Sequence, residues 1–91
     1  MTKLEEKLIE LGYKNYGLGD YGYRYEKTFK DVRIIIDYFK LLGKINNCHI
    51  IYKNVAIKTQ QDIDNLQQAF NQLQNDLEVL KEYEKKETKS V

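Results

Sequence analysis

Proline and tryptophan are absent from these 91 residues, and cysteine, histidine and serine each occur once. Each scarcity removes a class of function. Cys48 has no second thiol in the chain to bond, so an intramolecular disulfide is excluded. A structural zinc site needs four Cys- or His-type ligands, and Cys48 with His49 supplies two. Nor do these two make a thiol nucleophile and its base, because neighbours on a strand point to opposite faces. Ser90, the one serine, stands in a terminal stretch, 87–91, that has no periodicity and is expected to fray. Glu26 and Asp37 would work as a carboxylate pair only if their strands aligned them, and nothing shapes a substrate cleft around them. The expectation is no enzyme, no metal and no cofactor.

Long apolar runs are lacking as well. None approaches the ~20 residues that span a bilayer, and the longest β-branched run, Ile34-Ile35-Ile36, is strand-sized. No charged-then-apolar signal segment opens the chain. A soluble protein of the reducing cytoplasm, with no membrane partner, is expected. Arginine is scarce beside lysine, and Ile and Asn are frequent, a bias usual in AT-rich coding and hence in a bacterium or its phage.

What is present is periodicity. From Thr59 to Lys86 the apolar residues Ile63, Leu66, Phe70, Leu73, Leu77 and Leu80 alternate spacings of three and four, a heptad seam. Thr59 is a good N-cap, and Asp62 three residues on gives a capping-box-like start. Asp62 and Asp64 near the start, and Lys81, Lys85 and Lys86 near the end, suit the helix dipole. No glycine interrupts the stretch, and the missing prolines cannot.

The rest of the chain reads in order. Thr2 to Glu5 is a capping box, Leu4, Leu8 and Leu11 recur at helical spacing, and Gly12 suits the left-handed residue that ends a helix. Residues 13–22 read as a loop by their Gly and Asn content. They contain G-x-G-x-x-G at Gly17, Gly19 and Gly22, but a helix precedes and a strand follows, the wrong order for a phosphate loop. Tyr21, Tyr23, Tyr25 and Phe29 then alternate with polar residues, Lys30-Asp31 turns, and Val32 to Phe39 reads as a central strand. Residues 45–52 are a third strand, Lys53-Asn54 a turn, and 55–57 a short edge strand or a lead-in to the helix. The fold class is α+β: a short N-terminal helix, a three- or four-stranded antiparallel sheet, and a long C-terminal helix packed on one face. Residues 1–86 form one domain.

A helix over 60–86 is roughly 40 Å long, and strands of this size span about 20–27 Å. The helix overhangs its sheet, so Leu73, Leu77 and Leu80 are expected to be covered by a second copy of the chain, or in part by the first helix. Ile63, Leu66 and Phe70 are expected inside the monomer.

Charge is uneven. Residues 13–58 are net +5 and 59–91 net −3, within an overall +1. This permits an anionic partner without demanding one, and nucleic acid is not favoured. The sharpest surface feature is Tyr13, Tyr16, Tyr21, Tyr23 and Tyr25 interleaved with Lys14, Arg24 and Lys27. Aromatics beside cations stack single-stranded nucleic acid, and Tyr and Arg are also favoured protein hot spots. The third reading is that the Tyr face packs beneath the long helix. Tyr13, Tyr16, Tyr21, Tyr23, Arg24, Tyr25 and Lys27 are the candidate partner-binding residues.

The stretches Thr59 to Leu66, Ala69 to Glu78 and Lys3 to Tyr13 resemble small uncharacterised proteins carried by phages and prophages of low-GC Gram-positive bacteria. The resemblance implies a phage accessory protein acting in the host cytoplasm. Such proteins include non-catalytic inhibitors of host defence, anti-CRISPR proteins among them, and sponges for immune nucleotide signals. The expected function is inhibition of a bacterial immune effector by protein–protein binding. A nucleotide sponge, with Arg24, Lys27 and the glycine loop holding phosphates, or a nucleic-acid-binding accessory protein are the alternatives.

Overall fold

The computed structural model describes residues 2–19, 22–52 and 56–84. In chain order these form α1 (Lys3–Glu10), β1 (Lys14–Gly19), β2 (Gly22–Phe29), β3 (Val32–Phe39), β4 (Lys44–Tyr52) and α2 (Gln60–Lys81). The class is α+β, as expected: one antiparallel sheet in the order β1-β2-β3-β4, with both helices joined to it through a single core. No helix among the described residues is long and apolar enough to cross a membrane.

The local signals act as read at both helix starts. Thr2 and Thr59 cap their helices, each accepting from the third backbone N–H while Glu5 or Asp62 reaches back to the cap. Gly12, at φ +99°, ends α1. There Gly12 N–H donates to the Ile9 carbonyl and Tyr13 N–H to the Leu8 carbonyl, the paired bonds of a Schellman turn. Lys30 and Asp31, at φ 45° and 30°, make the two-residue turn from β2 to β3 in a conformation that glycine or asparagine would adopt more cheaply.

One expectation is corrected outright. Residues 14–19, read as loop, are strand β1, paired with β2 from Lys14↔Glu26 to Gly19↔Gly22. Pairing overrides the glycine content, and a bulge between Asn15 and Leu18 absorbs it, with Gly17 at φ +91° and its N–H on the Asn15 Oδ1 at 2.6 Å. The glycine motif therefore shapes an edge hairpin. Ala56 to Lys58 form no strand, and the turn placed at Lys53-Asn54, residue 55 and the tail 87–91 lie outside the described residues.

The long helix brings the second correction. Its buried stripe is Ala69, Leu73, Asp76 and Leu80, spaced four, three, four. Leu80 is fully buried in one cluster with Leu4 and Leu8 of α1, Leu73 is buried and Leu77 partly so. Leu73, Leu77 and Leu80, expected to serve self-association, are thus occupied within the monomer. The helix meets α1 there, with Lys7 Nζ 5.9 Å from the Tyr83 ring centre. The other end is reversed too: Ile63 and Phe70, expected inside, are 48% and 52% exposed, and only Leu66 of that trio packs on the core.

The sheet has two unlike faces. Toward the helices point Tyr23, Tyr25, Lys27 and Phe29 of β2 and Val32, Ile34, Ile36 and Tyr38 of β3. On the opposite face Arg24 pairs with Asp37 and Arg33 with Glu26.

Candidate protein-binding site

The β1–β2 and β3–β4 connections lie at the same end of the sheet, because consecutive antiparallel strands alternate direction. Between them is a cavity of about 490 Å³ lined by Leu18, Gly19, Gly22, Tyr23, Phe39, Lys40, Leu41 and Asn46. Its rim is unusually apolar for a surface: Leu41 is 85% exposed, Leu18 76% and the adjoining Leu42 60%. A folded chain leaves single leucines in water without consequence, but a cluster of them around a concavity marks an interaction site.

Glycines shape the backbone on both sides of this cavity. Gly22 sits at φ +129°, and a Cβ there would lie 2.6 Å from the Tyr38 carbonyl oxygen, so any side chain would push β2 from β3 where the cavity begins. Gly43, at φ +66°, closes the other connection with its N–H on the Phe39 carbonyl at 2.9 Å. Lys40 leans across the mouth, its Nζ 5.7 Å from the Tyr23 ring centre and 3.9 Å from Glu5 Oε1. The site offers apolar area, an aromatic face and one ammonium.

The residues picked from the sequence separate into four places. Tyr16 is exposed on β1 and Tyr23 lines the cavity. Tyr21 lies outside the described residues. Arg24 is on the open sheet face, its Nε 3.5 Å from Asp37 Oδ1. Tyr13, Tyr25 and Lys27 are corrections: they are structural. Tyr13 is 2% exposed and donates to Asp76 Oδ2 at 2.7 Å; Lys27 Nζ meets the same oxygen at 2.6 Å and the Leu11 carbonyl at 2.9 Å. Gln72 donates to Asp76 Oδ1, and the Lys27 ammonium stands 4.5 Å from the Tyr13 ring centre. Tyr25 is fully buried and donates to Glu5 Oε2 at 2.8 Å.

Electrostatics follow from this burial. Burial first, then the hydrogen bond to Asp76 and its charge, push the Tyr13 hydroxyl far above its ordinary range. Tyr25 is raised likewise by burial and then by Glu5. For Glu5, burial alone would raise the carboxyl, but hydrogen bonds from the Thr2 N–H, Tyr25 and the Thr2 hydroxyl, with Lys40 nearby, outweigh it and the net shift is downward. Both tyrosines remain hydrogen-bond donors inside the fold, unavailable to a partner.

The nucleotide-sponge arrangement needs Arg24 and Lys27 together. They lie on opposite faces of β2, with Lys27 held by Asp76 and Arg24 beside Asp37. Glu26 and Asp37 share one face of the sheet, and each is engaged by an arginine, Glu26 by Arg33 at 2.6 Å and Asp37 by Arg24 at 3.5 Å. His49 Nε2 comes to 3.4 Å from Asp37 Oδ2 on the open face, and Cys48 is exposed; both residues border the groove between β4 and α2.

Sequence reasoning missed Leu18, Leu41 and Leu42. The signal was available for the last two, since adjacent leucines immediately before a turn glycine cannot both reach a core across a tight reversal. No protein-family model, curated protein or solved structure matches this chain.

Proposed function

We propose that the chain is a non-catalytic binding protein that acts by covering a functional surface of a partner protein, and that the partner is a bacterial immune effector. The observation that carries the binding reading is the pair of exposed leucines, Leu18 and Leu41, lining the cavity at the hairpin ends, with exposed Leu42 next to Leu41 in the chain. The partner class rests on the resemblance to phage and prophage accessory proteins. Tyr23 and Lys40 supply orientation at the mouth, and Tyr16 adds an exposed aromatic on the same strand as Leu18.

The test is affinity capture from lysate of a low-GC Gram-positive host, comparing wild type with Leu18→Asp/Leu41→Asp. A defence protein captured by wild type in high salt and lost from the variant is the expected result, since an apolar contact resists salt and a phosphate-driven one does not. Loss of one hot-spot contact costs about 2 kcal/mol, roughly 30-fold in affinity. A nucleotide released from the purified protein on heating would replace this reading with the sponge.

A further inference from the structure

The sheet face turned away from the helices hides its acids and shows its bases. There the register sets Lys14 opposite Glu26 and Arg24 opposite Asp37, with Arg33 on the same side of β3 as Asp37. The carboxylates are the buried members. The Asp37 side chain is 1% exposed and that of Glu26 12%, against 35% for Arg24 and 40% for Arg33. Lys14 is exposed as well. Solvent therefore meets cations on this face, and the groups that balance them are withdrawn from it. A charge count along the chain treats buried and exposed carboxylates alike, and so misses this.

An aromatic stands among these cations. The bulge between Asn15 and Leu18 sets Tyr16 and Gly17 of β1 against Arg24 of β2, and Tyr16 is 63% exposed. Neither arginine is used up by its carboxylate. Arg33 gives Nε and Nη2 to Glu26 Oε1, at 3.0 and 2.6 Å, which orients the guanidinium and leaves Nη1 without a partner among the described residues. Arg24 Nε stands 3.5 Å from Asp37 Oδ1 and makes no hydrogen bond. A tyrosine ring and guanidinium planes are stacking groups for unpaired bases, and remaining N–H groups suit phosphate oxygens.

We infer that this face binds single-stranded nucleic acid, with bases stacked on Tyr16 and the arginines, and phosphates along Lys14, Arg24 and Arg33. The opposite layer favours the same approach. α2 carries four carboxylates and one lysine, so a polyanion is repelled from the long helix and drawn to the sheet. An acidic protein would answer the cations, but stacking on an exposed ring is open to every base and to few protein side chains. The nucleic-acid face does not include the leucines of the hairpin-end cavity, and its ligand is independent of the partner proposed there.

The test is fluorescence anisotropy with a fluorescein-labelled oligothymidylate of about 12 nucleotides. Wild type is expected to bind at low salt and to weaken as salt rises. The log–log slope should be about −2, one phosphate contact for each of Lys14, Arg24 and Arg33. Lys14→Gln is expected to reduce the slope to about −1.4. Tyr16→Ala is expected to lower affinity about tenfold at every salt concentration and leave the slope unchanged, as loss of a stacking group would. Both residues are exposed, so circular dichroism of each variant should match wild type. The arginines stay in place because each balances a carboxylate. No binding of wild type at low salt overturns the inference, as does binding that neither variant weakens. Equal competition by polyglutamate of matched charge overturns it in favour of an acidic protein.

Discussion

The two halves of α2 share one heptad pattern and meet opposite fates. The C-terminal half is buried: Leu73 and Leu80 join the core, and Asp76 is 2% exposed at the centre of a closed polar network. The N-terminal half turns Ile63 and Phe70 outward. The sequence pattern does not distinguish them. What does is α1, whose Leu4 and Leu8 lie in the same cluster as Leu80 and which, among the described residues, has no counterpart over the first turns of α2. An amphipathic stripe states that a face needs cover, and the packing of other elements decides which part receives it.

That contrast can be broken first at Asp76. Asp76→Ala would leave the Lys27 ammonium and the Tyr13 hydroxyl without their shared acceptor. Removing one member of a buried ion pair costs about 3–5 kcal/mol, a large part of a small domain's stability. Urea denaturation should show this loss, with Asp76→Asn recovering the Tyr13 bond but not the charge.

Next come the two apolar anchors. Leu80→Ala is expected to destabilise by about 3 kcal/mol through the cavity it leaves. Phe70→Ala, at the exposed end, should change monomer stability by only about 0.5 kcal/mol. Equal effects in chemical denaturation at low protein concentration would abolish the distinction between the halves.

The smallest effect is at the start of the helix. Hydrogen bonds from the Tyr52 hydroxyl, at 2.6 Å, and from the backbone N–H groups of Lys58 and Thr59 hold the Asp62 carboxyl down to about 2 from an ordinary 3.8. The folded state therefore favours the ionised form. Its contribution is complete above about pH 4 and is lost as the pH falls toward 2. Acid titration by far-ultraviolet circular dichroism should show the first turns of α2 fraying in that window, and Asp62→Asn should remove this component.

Much of the fold was legible because it depends on local chemistry. Both capping boxes, the Gly12 terminus, the Lys30-Asp31 turn and the alternation in β2 are short-range rules, and they act as such. β1 was hidden because a glycine-rich edge strand is made by its neighbour's hydrogen bonds, not by its own side chains. The site was less legible. Tyr13 and Lys27 looked like surface residues because their partner, Asp76, is remote in sequence. Yet Lys27 occupies the same parity as Tyr23, Tyr25 and Phe29, and a lysine on an inward face requires a buried anion. An apolar-only reading of α2 chose Phe70 and Leu77 for the stripe, whereas the buried stripe runs through Ala69 and Asp76 and so turns Phe70 to one side.

The strand order β1-β2-β3-β4 also has a kinetic consequence. Each strand pairs with the next along the chain, so the hairpins close loops of a few residues and can zip in succession at little entropic cost. The Tyr13–Asp76 bond spans 63 positions and needs both helices docked. Its long sequence separation predicts that it forms in the last step of assembly, after the folding barrier. The network is then expected to act as a brake on unfolding: weakening it should shorten the lifetime of the native state and leave the speed of its formation nearly unchanged.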